Sequence, residues 1–68
     1  MKLNGHNNEY IVLFDGDRYH PDLHYRACKH RYDSIKGARA YANKFRNAYI
    51  FKLHYPKDCD FPDIYEVI

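Results

Sequence analysis

The stretch YDSIKGARAYANKFRNAYIFKLH, residues 32–54, changes its period once, and that change decides the fold. In its first part Ile35, Ala38, Ala42 and Phe45 recur at steps of three and four, the spacing that lines one side of a helix. Asp33 or Ser34 supplies a side-chain oxygen for the free N–H groups of the first turn. The pattern predicts a helix whose buried stripe is Ile35, Ala38, Ala42 and Phe45, with Tyr41 beside it and Asn47 as a left-handed stop residue. From Ala48 the period falls to two. Tyr49, Phe51 and Leu53 then share one face of a strand over residues 48–54, and Ile50, Lys52 and His54 share the other, until Pro56 ends it.

Working outward, EYIVLF at residues 9–14 is β-branched and aromatic and runs into Asp15-Gly16, a strong hairpin signal. DRYH could begin the returning strand, but Pro21 and Asp22 interrupt it. A second strand is expected within residues 23–31, continuing the hairpin past a bulge or paired after a longer loop. Downstream, KDCDFPD reads as an acidic loop and IYEVI, residues 64–68, as a short closing strand. The expected fold is α+β: one small domain over residues 1–68, ordered strand, strand, helix, strand, strand, with one helix packed on an antiparallel or mixed sheet.

A chain of 68 residues is near the lower end of what folds without a staple. Its hydrophobic fraction of 46%, with eight tyrosines and four phenylalanines, is too rich in core material for a disordered chain. Each buried tyrosine must still place its hydroxyl, so some of these rings belong at the rim. MKLNGHNNEY has no apolar leader core, and YIVLF is far too short to cross a bilayer, so a cytoplasmic protein without membrane contact is expected. Cys28 and Cys59 lie far apart and form no C-x-x-C pair, which suits free thiols in a reducing compartment.

HPDLHYRACKH, residues 20–30, crowds three histidines and a cysteine together. A zinc site would use His20, His24, Cys28 and His30, but the β-leaning residues and the lack of a second ligand pair argue against it; no metal and no cofactor is expected. As a strand, the segment puts His24, Arg26, Cys28 and His30 on one polar, cationic face, with Leu23, Tyr25 and Ala27 on the other. A catalytic reading makes His24 or His30 a general base, with Arg26, Lys29 or Arg31 stabilising a phosphorane, as in a small metal-independent ribonuclease. No established catalytic signature accompanies it, and an enzyme ranks third.

The net charge is only +2, so any argument for a charged partner comes from distribution. Lys36, Arg39, Asn43 and Arg46 recur on the helix side opposite the apolar stripe, with Lys44 nearby and no acidic residue among them. Ordinary solvated helices mix both signs, because acid-base pairs one turn apart add support. A one-signed ridge suits an acidic protein surface or phosphates. Tyr25, Tyr32, Tyr41 and Tyr49 could anchor a protein contact or stack on bases. The expected binding surface is Lys36, Arg39, Asn43, Lys44 and Arg46, joined by His24, Tyr25, Arg26 and His30.

YDSIKGARAYANKF followed at once by NAYIFKLHY resembles the helix-to-strand unit of very small accessory proteins encoded by bacteriophages, of the host-takeover or defence-inhibitor type. The resemblance covers residues 32–55 and transfers no functional residue. It implies a class: a protein that inhibits or redirects a nucleic-acid-processing or defence complex by binding it, in the host cytoplasm. Many such proteins mimic DNA and are strongly acidic, a pattern this chain departs from. The favoured function is capture of an acidic protein partner, with direct DNA or RNA binding as the alternative. The last strand could leave an open edge, so a homodimer is a further possibility.

Overall fold

The computed structural model describes residues 8–67. The leaderless reading of the first residues therefore lies mostly outside the described residues, as does Ile68, the expected end of the last strand. The chain forms strand β1 (Asn8–Phe14), a 3₁₀ turn (Asp17–Tyr19), helix α1 (Pro21–His24), strand β2 (Arg31–Tyr32), helix α2 (Ile35–Ala42), and strands β3 (Ala48–His54) and β4 (Asp63–Val67). The strands make one sheet in the order β2-β1-β3-β4, and every pairing is antiparallel. This is a small α+β fold with the expected succession of strands and principal helix.

β1 sits inside the sheet and is buried on both sides, which explains its unbroken apolar run. Ile11 and Leu13 join Tyr25, Phe51 and Leu53 on one face, while Val12 joins Ala38, Ala42 and Ile50 on the other. The alternation expected for residues 48–54 holds: Phe51 and Leu53 enter the first cluster and Ile50 the second. Two alanines at the contact let α2 lie close to the sheet. Close approach also accounts for Gly37, where a methyl group would stand 3.3 Å from Tyr32 Cδ1.

Three local expectations are corrected. Asp15-Gly16 does turn, with Gly16 at φ 94°, but the chain enters the 3₁₀ turn and α1 instead of a returning strand. The second strand comes only at Arg31–Tyr32, so His24, Arg26, Cys28 and His30 do not share a strand face. Pro21 at the first helical position fits α1, because its fixed φ is helical and its missing N–H would go unused there. Burial then overrides the β-leaning character of His24-Tyr25-Arg26: Tyr25 is only 7% exposed and closes over the sheet face that α2 leaves bare.

The third correction concerns the end of α2. The helix stops at Ala42, and the N–H groups of Lys44 and Phe45 turn to the carbonyls of Tyr41 and Ala42, three residues back, at 3.1 and 3.0 Å. Such tightening satisfies terminal carbonyls without a left-handed residue. Among the described residues the only non-glycine with positive φ is Asp58, so Asn47 is not a left-handed stop. Phe45, expected in the buried stripe, lies past the last turn and is 42% exposed.

Candidate binding surface at the end of the principal helix

Ser34 caps α2, its Oγ accepting from the Gly37 N–H at 3.2 Å. With Ala38 and Ala42 fixed against Val12 and Ile50, the opposite side of α2 must face solvent. Lys36 and Arg39 lie there, exposed. Asn43 is the C-cap, its N–H donating to the Arg39 carbonyl at 2.9 Å, and Lys44 and Arg46 follow in the tightened exit. The expected ridge is thus exposed throughout, but it is shared between a helix and the turn after it. Among the described residues none of these four cations forms an ion pair.

An aromatic cluster supports the ridge at its C-terminal end. Phe45 packs edge-on against Phe14, with ring centres 5.2 Å apart, and contacts Tyr41 at the same separation. His30 stacks on Tyr41 at 4.5 Å, and its Nε2 is 3.3 Å from the tyrosine hydroxyl. The fold therefore joins His30 to the ridge. His24 lies across a cleft of 280 Å³ lined in part by Phe14, Asp17, Cys28, Lys29 and His30. His24 Nε2 is 3.6 Å from Asp17, and the Cys28 thiol donates to the Val12 carbonyl at 3.4 Å. Among the described residues no three His, Cys, Asp or Glu side chains stand where they could hold a metal ion.

Two expected members fall elsewhere. Tyr25 is part of the core. Arg26 is exposed, but its Nε donates to the Tyr25 hydroxyl at 3.2 Å, and its guanidinium lies 5.5 Å from the centre of the Phe61 ring. Arg31, assigned to a phosphorane in the catalytic reading, is committed to Glu9 through Nη2 at 2.9 Å and Nε at 3.4 Å, and to the Tyr25 carbonyl. Hydrogen bonding to Glu9 raises its pKa further above the usual arginine value, against partial burial. Neither Arg26 nor Arg31 lines the cleft between His24 and His30.

Sequence reasoning placed Phe45 in the core instead of on the surface, and it named Lys29 only in the catalytic reading, not as part of a binding surface. Phe45 carried a misleading signal, because its helical spacing matched the buried stripe. The charge of Lys29 was visible, but its place on the cleft depended on a turn that local patterns did not reveal. Among the described residues no helix is long and apolar enough to cross a membrane. Set beside known proteins, the chain matches no family model, no curated protein and no solved structure.

Proposed function

We propose that this chain is a non-enzymatic binding protein that captures an acidic protein partner through the end of α2. One observation carries the reading: Phe45 is exposed between Lys44 and Arg46, with Arg39 on the turn before, and no acid neutralises these cations among the described residues. An exposed aromatic ring within a cationic rim has the makeup of an interface anchor, where rings and arginine supply much of the affinity. The surrounding charge steers an acidic surface toward it. The resemblance to phage accessory proteins supports a cytoplasmic role in inhibiting or modulating a nucleic-acid-processing or defence complex. Direct contact of the same ridge with DNA or RNA is the competing reading.

The test is affinity capture from a nuclease-treated cell extract with the wild type, Arg39→Glu/Arg46→Glu and Phe45→Ser side by side. A protein retained by the wild type and lost from both folded variants is the expected result. Retention of the same proteins by the double reversal removes the ridge from the function. If nuclease treatment itself abolishes capture, and the double reversal captures nothing from untreated extract either, the ridge contacts nucleic acid. Light scattering on the purified chain reads the remaining possibility, two copies joined along the outer side of β4.

A further inference from the structure

Strand register lines up four side chains that are far apart in sequence. Tyr32 pairs with Tyr10, Tyr10 with Lys52, and Lys52 with Tyr65, one residue from each strand. Directly opposed residues of antiparallel strands project to the same side. The row Tyr32–Tyr10–Lys52–Tyr65 therefore crosses the entire sheet on the face that carries α2. Val12 and Ile50, in the next row, are buried under Ala38 and Ala42. Tyr32 and Tyr10 pack at the margin of that cluster and stay half-buried, while Tyr65 is 54% exposed. Lys52, between two rings, makes no ion pair among the described residues.

We propose that this row is a stacking platform for single-stranded nucleic acid, with bases on Tyr10 and Tyr65 and the phosphate that links them at Lys52. Neighbouring strands are about 5 Å apart, so two rings separated by one strand stand about 10 Å apart, which leaves room for a sugar-phosphate link over the intervening lysine. Stacking on aromatic rings accepts any base, because every base offers a flat face. A duplex is a poor occupant, since its bases are already stacked on one another. A second cation extends the track: α2 begins against Tyr32, as the contact at Gly37 shows, and the neighbouring Lys36 is exposed there. The platform uses none of the residues at the exit of α2 and does not rest on the protein-capture reading.

Fluorescence polarisation with labelled deoxythymidine and uridine oligomers, and with a duplex of equal length, tests it across a salt series. The wild type binds single strands in preference to the duplex. Tyr65→Ala weakens that binding about 5- to 150-fold, the range for losing one stacked base, and Tyr65→Phe, which keeps the ring, restores it. Lys52→Gln makes the salt dependence shallower by about one phosphate contact. Arg39→Glu/Arg46→Glu keeps the same sensitivity to Tyr65→Ala, so failure of the ridge and failure of the platform are read separately. Undiminished binding by Tyr65→Ala, equal affinity for duplex, or no wild-type binding at low salt each overturns the proposal. Amide shifts on titrating the wild type provide a readout without substitution: changes centred on residues 10, 52 and 65 are expected, and changes confined to residues 36–46 overturn it.

Discussion

The two sides of the sheet hold their arginines in opposite ways. On the side away from α2, Arg18 donates to both carboxylate oxygens of Glu66 at 3.1 and 3.3 Å and lies 3.8 Å from the centre of the Tyr49 ring. Arg26 lies on Tyr25 and Phe61, and Arg31 is clasped by Glu9 and backbone carbonyls. On the side of α2, Arg39 and Arg46 stand in solvent with Lys36 and Lys44, and none has an acid partner among the described residues. The first set closes the fold over a face that has no long helix. The second set leaves its charge available, because α2 is secured through Ala38, Ala42 and Tyr41 on its other side and not through its cations.

That contrast is sharpest between two residues one turn apart on α2. Ala42→Asp places an unpaired carboxylate between Val12 and Ile50, where desolvating an ion costs several kcal/mol. A chain of 68 residues has about 3–10 kcal/mol of stability in total. The expected outcome is loss of the cooperative thermal transition, whereas Arg39→Glu should keep it. A native melt for Ala42→Asp would mean that α2 does not depend on this contact.

The next comparison sets Arg31 against Arg39. Arg31→Ala leaves Glu9 without its partner and removes donors from the Tyr25 and Cys28 carbonyls, for a cost of about 1–3 kcal/mol. Arg39→Ala, with no such partners, should stay within about 0.5 kcal/mol of the wild type. Urea midpoints measure both. Equal losses would make the ridge arginine as structural as the clasped one and erase the distinction.

What was legible in the sequence follows the range of the forces involved. The alternation of residues 48–54 and the stripe Ala38–Ala42 depend on local geometry, and both faces of β3 came out as read. Phe45 fits the same stripe by spacing, yet where the last turn tightens is decided by a few hydrogen bonds that periodicity does not record. Residues 23–30 were illegible for a different reason. Their local β character was real, but the bare sheet face needed Tyr25, and Pro21 suited a helical start. Arg31 and Arg39 look alike as letters. What separates them is Glu9, twenty-two positions upstream of Arg31 and brought beside it only by the pairing of β1 with β2. The row from Tyr32 to Tyr65 needs three strand registers at once, which no single-strand pattern contains.

The smallest expected effect lies beside the clasped arginine. Tyr55 packs against the Ile11–Leu53 cluster, and that burial, with the Glu9 carboxylate near, raises its phenol above the ordinary value while Arg31 partly opposes the shift. In the native protein the phenol thus keeps its proton to higher pH than in the unfolded chain. Where the native state binds more protons, stability falls with rising pH. The contribution is complete below about pH 10, the unfolded value, and disappears as pH climbs through the native one. Tyr55→Phe cannot ionise, so its urea midpoint should decline less between about pH 9 and pH 11 than that of the wild type. Arg31→Ala should steepen the wild-type decline, because it removes the one cation that favours the phenolate. Parallel declines in all three proteins would show that the clasp does not reach Tyr55. The paired side of the sheet would then be no more coupled than the side of α2.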